Sequence, residues 1–462
     1  MAGGFFTSFN KVRPGAYINF FTVARSLVAS VMRRGAGAPP TANLPERNIV
    51  VFPMALDWGD PDGLIEVSTE DMLIGRSLAN TGLLMSDPNA KLLRGALSYS
   101  LNAKIKRING SGTGAQKASI TTNGLLIEAK YTGVLGNKIS VTIVEVVGTA
   151  FFDVTTFVDG NSVDTQRVTV VGDLNNNSFV EFSGTASAPL VAVPAGVTLT
   201  GGNNGVVDIT GSYMALRTLL RTTRWNTLAV PDISENANTE LFINQLVDEE
   251  GRDVMAVLVD AGSIDNDNII NVTQSLVIDG QVYTKSDMAV VAAAMTAGAG
   301  VTESNTSKLV IGAESIVDEL TNTQIIEALR AGKFIFSSRQ NGEIQVEQDI
   351  NTYRTPTPDK SEIFSKNRIK RTLGGIKYSV SGLWESAFQG KVTNNPENRA
   401  VFASSIITLF NELQRIEAIT NFAGADDIEV TQGNSLDSVI CNAWVQPLDA
   451  MEKLYMTVEL SV

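Results

Sequence analysis

The last nine residues of the chain, Leu454 to Val462, alternate apolar and polar side chains without interruption. This two-residue period predicts a β-strand with one buried face. The sequence ends inside that strand, so no following loop ties it to a sheet of its own. We therefore expect it to pair with the sheet edge of another molecule. Its apolar face consists of Leu454, Met456, Val458, Leu460 and Val462.

A second short strand is predicted near the other end, in residues 12–21, where Tyr17, Ile18 and Phe20 supply bulky side chains. A stretch rich in Gly, Ala and Pro at residues 35–40 separates this strand from the rest of the chain. A chain with a detachable strand at each end is suited to linking copies of itself. The period alone leaves open the alternative that both strands complete the chain's own sheets.

Length and composition exclude several classes of function. The 462 residues are enough for about three domains. A net charge of −13 argues against nucleic acid as a partner, because phosphate binding needs a basic face. The chain has no histidine, which removes Ser-His-Asp and Cys-His relays and histidine metal ligands. Its single cysteine, Cys441, can form neither an internal disulfide nor a thiolate zinc site, and its apolar neighbours predict that it is buried.

No targeting or membrane segment is recognisable. Residues 20–32 are apolar in places, but Arg25 interrupts them, and no early positive region precedes a clean apolar run. No run approaches the roughly 18 apolar residues that a membrane helix needs. We therefore expect no membrane insertion and a product that is cytoplasmic when it is made.

The pattern along the chain predicts α/β and α+β domains. Before residue 110 a buried strand at 48–53, a helix capped by Ser68 or Thr69, a helix opened by Asp87 and a strand at 103–108 alternate. From 110 to 205, short Val, Ile, Thr and Phe runs broken by turn signals predict a small inserted all-β domain. Alternation then returns. The predicted helices lie at 213–223, 239–250, from a Ser286 cap through Met295, and at 324–331, and the predicted strands at 254–259, 308–311 and 333–337.

Two long helices are predicted after the Pro-rich stretch at 355–358. Apolar residues from Ile369 to Ala387 recur at three- and four-residue spacing, which predicts a helix despite Gly374 and Gly375, each of which costs about 1 kcal/mol relative to alanine. Asn395 is the predicted cap of a second helix, which Pro396 begins. Strands, with a turn at residues 433–434, follow.

No motif assembles a catalytic, cofactor or metal site. The glycines between Gly110 and Gly114 precede a strand rather than a helix, so we interpret them as a linker and not as a phosphate loop. The run from Asp265 to Asn268 offers oxygen ligands but lacks the glycine and the distal glutamate of a calcium loop, which favours an ordinary polar turn.

One cluster of charge remains. Lys366, Arg368, Lys370 and Arg371 lie within six residues at the start of the first long helix of an otherwise acidic chain. Two interpretations stay open: a solvated helix face, and a docking surface for an acidic partner.

Several segments resemble the tail sheath proteins of contractile phage tails and phage-tail-like particles. The segments that carry the resemblance are Tyr131–Ile139, Leu199–Gly205, Trp225–Leu228, Gly390–Asn394, Ile419–Phe422, Asp427–Val430 and Val445–Met456. Asn398-Arg399 departs from the Gly-Arg pair that the family usually has after its Asn turn.

The resemblance implies a division into six parts. These are an N-terminal arm and linker at 1–47, part of a middle domain at 48–109, an inserted all-β outer domain at 110–205, the α/β middle domain at 206–355, a C-terminal sheath core domain at 356–445 and a C-terminal strand arm at 446–462. The core domain is built from both chain ends. The middle domain is of a kind called subtilisin-like, without protease activity here because histidine is missing.

The resemblance also implies assembly as the function. Members stack as six-subunit rings around an inner tail tube, meet baseplate and tail terminator proteins, and contract to drive the tube through a cell envelope. It implies strand donation by the arms, with Gly35, Gly37, Pro39 and Pro447 as hinges, and inner-tube contact by the four basic residues. A surface-layer or adhesin-like protein is the main alternative, and an enzyme of novel type is a third. No cofactor is expected.

Overall fold

The computed structural model describes residues 16–20 and 47–459. These residues form two compact units, one of residues 49–224 and the other of residues 225–459 with 16–20 and 47–48. The fold is a mixed α/β multidomain architecture. Predictions that concern Gly35, Gly37, Pro39 and Leu460 lie outside the described residues.

The first unit begins with a small mixed sheet and three short helices. Strand β1 (Ile49–Met54) pairs in parallel with β3 (Asn102–Arg107), which pairs antiparallel with β2 (Ile65–Ser68). The helices are α1 (Thr69–Leu73), α2 (Ser77–Thr81) and α3 (Lys91–Leu97). Ser68 accepts a hydrogen bond from the Asp71 amide and Asp87 caps the turn before α3, so both predicted starts are confirmed.

A β-sandwich follows in the same unit. Its strands are β4 (Ala115–Thr122), β5 (Leu125–Thr132), β6 (Ile139–Glu145), β7 (Phe152–Val158), β8 (Asn161–Val168), β9 (Val180–Ser183), β10 (Val193–Thr198) and β11 (Asn203–Asn204). They form two four-stranded sheets, in the orders β10-β6-β7-β8 and β11-β4-β5-β9. The inward residues of both sheets and Trp58 share one apolar core. The unit ends with helix α4 (Ile209–Thr222).

The glycine-rich segment after β3 is held in place at its start. Gly110 is buried, and a Cβ there would overlap the guanidinium of Arg107. Arg107 donates to the carbonyls of Gly59 and Thr132 at 2.8 and 2.9 Å. The positive φ of 90° at Gly110 is a conformation that glycine adopts without strain. The segment therefore connects the sandwich through a fixed turn at its first residue.

The second unit contains a four-stranded parallel sheet with strand order β18-β14-β13-β12. Its strands are β12 (Thr227–Val230), β13 (Met255–Val259), β14 (Ile269–Val272) and β18 (Lys333–Phe334). The helices are α5 (Asn236–Asn244), α6 (Lys285–Gly298) and α7 (Asn322–Arg330). Ten consecutive residues of α6 are buried, and α6 packs on β12, β13 and β14. Such all-round burial is typical of a helix inside a core.

Two predictions in this region are wrong. Thr284, not Ser286, caps α6, because its hydroxyl and the Asp287 carboxylate form a reciprocal capping box. No strand occupies 308–311, where Leu309 makes only an isolated bridge to Gln345. The remaining strands here are β15 (Leu276–Ile278), β16 (Gln281–Tyr283), β17 (Ala313–Ile316), β19 (Phe336–Ser338) and β20 (Ile344–Val346).

The two long helices are α8 (Asn367–Leu383) and α9 (Pro396–Arg415), as predicted. A π-helical turn at Trp384–Phe388 extends α8, and Asn395 caps α9. Their apolar faces and Phe422 enclose one core, against which the side chain of Phe20 also packs. The final strands are β21 (Ile419–Thr420), β22 (Ile428–Gln432), β23 (Val439–Ala443) and β24 (Gln446–Pro447). Cys441 is exposed on β23, so its predicted burial is wrong.

The core beneath α9 yields a first prediction. Ile406 is 1% exposed and Val401, on the same helix, is 55% exposed. Ile406→Ala is expected to lower the stability of this region by about 2–5 kcal/mol through lost burial and a residual cavity. Val401→Ala is the matched control and is expected to change stability by about 0.5 kcal/mol or less. Urea unfolding followed by Trp fluorescence measures both, and equal midpoints would contradict the packing described for α9.

Candidate arm-anchoring site

The C-terminal segment is held by hydrogen bonds as far as Glu452. Strand β24 pairs with β21, the Leu448 amide donates to the carbonyl of Ala418 at 3.1 Å, and Lys366 Nζ lies 3.8 Å from an oxygen of Asp449. Pro447, the predicted hinge, is part of β24 and faces Ile419 in the register. Pro447 is thus paired within its own subunit in this conformation, and its role as a hinge stays a prediction.

Glu452 is the last anchored residue. Its carboxylate forms an ion pair with Lys366 and accepts hydrogen bonds from Gln348 Nε2 at 2.7 Å and Thr306 Oγ1 at 2.8 Å. The side chain is only 10% exposed. Burial opposes ionisation, but the three hydrogen bonds and the Lys366 charge outweigh it and lower the pKa of Glu452. The Glu452 carboxylate is thus charged and bound by three side chains, and it anchors the C-terminal segment.

Residues 453–459, the last that the structure describes, carry no assigned strand and are exposed. Leu454, Met456 and Val458 are 85, 73 and 66% exposed, although they form the apolar face of the alternating segment. The polar residues between them are exposed as well. Residues 453–459 therefore leave the body of the subunit with neither face covered.

The other chain end has a corresponding anchor at Arg47. Its Nη1 donates to an oxygen of Asp253 at 3.0 Å, and the next amide, that of Asn48, donates to the carbonyl of Ala297 at 2.9 Å. Burial lowers the pKa of the Arg47 guanidinium, and the neighbouring charge of Arg371 lowers it further, while Asp253 opposes both. Within residues 16–20, Tyr17 and Ile18 are half-buried and belong to no strand, and Phe20 packs on the core of α8 and α9.

The predicted basic cluster lies next to these anchors, and its side chains are engaged within the chain. Lys366 binds Glu452, and Lys370 Nζ lies 2.7 Å from an oxygen of Asp267. Arg368 donates weakly to the carbonyl of Glu417 at 3.4 Å. The cluster is therefore not a solvated helix face, which was one of the two interpretations left open. Its assignment to an inner-tube surface stays a prediction for Lys366, Arg368 and Lys370.

Arg371 is different, because it lies inside the protein. Its Nη2 is 2.6 Å from an oxygen of Asp349, and the two side chains are 0 and 1% exposed. This burial excludes Arg371 as a tube-contacting residue in this conformation. Asp349 also accepts from the Asn305 amide and from Asn367 Nδ2, both at 2.9 Å. Burial opposes its ionisation, but these donors and the Arg371 charge lower the pKa of Asp349.

The run from Asp265 to Asn268 is a polar turn that also carries structural charge. Asp267 is buried and accepts from both Lys360 and Lys370. Burial opposes ionisation, yet the two lysines lower the pKa of Asp267. Over residues 16–20 and 47–459, no cluster of His, Cys, Asp or Glu is arranged to hold a metal ion. In the same ranges no helix is long and apolar enough to cross a membrane.

Substitution of Arg371 and of Arg368 distinguishes the buried arginine of α8 from the half-exposed one. Arg371→Gln leaves Asp349 buried without its cation and is expected to cost about 3–5 kcal/mol. Arg368→Gln is the matched control and is expected to cost about 1 kcal/mol, the worth of one hydrogen bond. Denaturant unfolding of the two variants measures the difference. Similar losses would show that the buried pair contributes no more than the half-exposed arginine.

The Glu452 anchor predicts a pH dependence. Because the folded state lowers this pKa below the unfolded value of about 4.3, the carboxylate's contribution is complete above about pH 5 and is lost as the pH falls through the folded-state pKa. Exchange of the Leu448 amide, corrected for its intrinsic pH dependence, is therefore expected to accelerate on acidification. Glu452→Gln should remove this step. An unchanged step in the variant would assign the transition to another acid.

Comparison with protein families identifies domains of known type in this chain. Three models match consecutive parts of the chain: the phage tail sheath β-sandwich domain at residues 111–204, the central domain at 203–352 and the C-terminal domain at 359–461. The phage-like element PBSX protein XkdK of Bacillus subtilis is 29% identical over the whole of both chains.

Solved structures agree with this result. The sheath tail protein of Desulfitobacterium hafniense is 32% identical, covers 94% of this chain and 100% of its own, and superposes with a TM-score of 0.78. The sheath tail protein of Listeria innocua is 28% identical, with coverages of 90 and 96% and a TM-score of 0.79. The sheath of an extracellular contractile injection system in its contracted state, at 10% identity and a TM-score of 0.55 over 96% of this chain and 99% of its own, shares the fold alone. The chain therefore belongs to the phage tail sheath protein family.

Proposed function

We propose that this protein is the subunit of a contractile tail sheath whose copies polymerise into a helical stack of six-membered rings around an inner tail tube. Contraction of the stack drives the tube through a cell envelope. The stack ends on baseplate and tail terminator proteins, and the subunits assemble in the host cytoplasm. The middle domain is assigned the subtilisin-like architecture of the family, and the subunit catalyses no reaction.

The observation that carries this proposal is the uncovered alternating segment after Glu452. A segment with strict two-residue alternation has an apolar face to bury, and in the single chain Leu454, Met456 and Val458 remain mostly exposed. Adding this strand to a sheet edge of another copy covers the apolar face and pairs the main-chain amides and carbonyls. The half-buried Tyr17 and Ile18 belong to the N-terminal arm, which links to a further copy in the same way.

The recipient in this proposal is the hairpin formed by β22 and β23 of a neighbouring copy. Its strands pair over five residues each, whereas β21 with β24 pairs over two and β19 with β20 over three. Ile428 and Val430 pack the hairpin onto the core of α8 and α9, while Cys441, Asn442 and Ala443 stay exposed. Two-stranded sheets are marginal alone and gain stability from a further strand.

Donation of this kind builds a tube rather than a closed oligomer. The donating segment and the recipient hairpin are different surfaces, so each copy passes the same contact to the next one. When the rotation between copies does not close, the result is a helix. The strand contacts persist during contraction, because the joint next to the anchored segment absorbs the change in angle.

Removal of the arm tests the proposal. Deletion of residues 454–462 is expected to leave a folded monomer, since Leu454 to Glu459 are exposed, and to abolish tubes in negative-stain electron microscopy. Met456→Glu with Val458→Glu should have the same effect. Tyr455→Glu with Thr457→Glu, which places the same charge on the other face, is the matched control and should impair tubes less.

Two outcomes would contradict the proposal. Normal tubes from the deletion variant would show that the C-terminal segment donates no strand. Planar arrays formed by the wild-type chain in the presence of its tube protein would favour the surface-layer alternative.

A further inference from the structure

Helix α8 contacts the anchors of both arms. Lys366, immediately before the helix, binds Glu452 at the root of the C-terminal arm. Gly374, eight residues later and about 12 Å along the axis, packs against Asp253, which holds Arg47 at the root of the N-terminal arm. One rigid element thus supports both points at which the arms leave the subunit.

Gly374 leaves the space that the second of these contacts uses. A Cβ at this position would overlap the carboxylate of Asp253, which therefore occupies the space that a side chain on α8 would fill. The carboxylate reaches Arg47 from there, at 3.0 Å. Glycine in a helix interior costs about 1 kcal/mol relative to alanine, and the close approach of Asp253 gives that cost a structural purpose.

A polar network also connects the Glu452 anchor to the buried Arg371 of α8. Thr306 Oγ1 donates to Glu452 and accepts from the Asp349 amide at 2.9 Å. The Asp349 carboxylate binds Arg371, whose charge acts on the guanidinium of Arg47. Contacts therefore connect Glu452 to Arg371, and the last step to Arg47 is the repulsion between two positive charges. The buried Arg371–Asp349 pair resists displacement because an unpaired buried charge is costly.

We propose that α8 couples the two arm roots mechanically, with Gly374 as the residue that positions the N-terminal root. This inference rests on the proposed function, in which neighbouring copies pull on both arms. Tension that enters at one root passes along α8 to the other, and the joints lie outside the anchored residues, after Glu452 and before Arg47. The chain from 446 to 452 moves with the body of the subunit.

Hydrogen exchange in the purified full chain tests the coupling. The reporters are the Asn48 amide, bonded to Ala297, and the Leu448 amide, bonded to Ala418. Gly374→Ala is expected to accelerate exchange at both amides by roughly fivefold or more, because it displaces Asp253. Gly382→Ala, the same substitution on the same helix with open space around it, should leave both rates unchanged.

Three results would overturn the coupling: acceleration at Asn48 alone, acceleration at neither amide, or equal effects of Gly374→Ala and Gly382→Ala. If Gly374→Ala does not fold, Glu452→Gln replaces it and should accelerate both amides, whereas a response at Leu448 alone would overturn the proposal. These measurements use the monomer. Failure of the wild-type chain to form tubes would remove the proposed function while the exchange rates still decide whether the roots are coupled.

Discussion

The buried ion pair between Arg371 and Asp349 holds helix α8 next to the residues that anchor Glu452. It lies inside the protein, and Asp349 receives two further hydrogen bonds there. Removing either charge would leave the other uncompensated in a low-dielectric interior, which favours the position of α8 that keeps the two charges paired. Thr306 bonds the Asp349 amide and also holds Glu452. The position of the C-terminal arm root follows from the position of α8.

In the proposed assembly, anchoring also lowers the cost of donating the C-terminal strand to another copy. A segment that is free from residue 446 onward would lose the conformational freedom of all its residues on binding, about 1–2 kcal/mol for each backbone unit. Here the subunit has already ordered the chain through Glu452, so that only the alternating strand remains to be fixed. Preorganisation of this kind strengthens association without adding a contact. The ordered segment that ends at Glu452 thus presents the exposed apolar face for the proposed binding to another copy.

Local patterns in the sequence predicted local structure well. The Asn395 cap with Pro396, the three- and four-residue spacing from Ile369 to Ile376, and the Ser68 cap each depend on neighbours a few residues away, and the structure contains all three. The error at Ser286 arose because Thr284, two residues earlier, is a second hydroxyl residue that can cap the same helix. The error at 308–311 arose because these residues suggest a strand, whereas Leu309 makes an isolated bridge to Gln345. Several segments, among them Tyr131–Ile139 and Val445–Met456, also indicated the family through their resemblance to tail sheath proteins.

What the sequence could not provide was the partner of each charge. Lys366 and Glu452 are 86 residues apart, and Arg47 and Asp253 are 206 apart. A cluster of four basic residues has the same pattern whether it faces solvent, a partner or acids of its own chain. The interpretation of residues 265–268 as a polar turn was correct in geometry but did not identify Asp267 as the acid that holds Lys360 and Lys370. Whether Cys441 is exposed likewise depends on which residues pack beside β23, and the sequence does not show this.

Gly374 shows most clearly what the sequence alone could not predict. Helix propensity favours alanine at this position, whereas the tertiary structure places the Asp253 carboxylate where an alanine side chain would lie. Considered within its helix, alanine is the better residue by about 1 kcal/mol. In the folded protein the missing side chain admits the Asp253 carboxylate, which holds a guanidinium buried at the edge of the N-terminal arm. At Gly374 the unfavourable residue therefore marks a position where another part of the chain approaches closely. Gly382, where an added Cβ would meet nothing within 4 Å, shows that not every helical glycine in α8 has such a role.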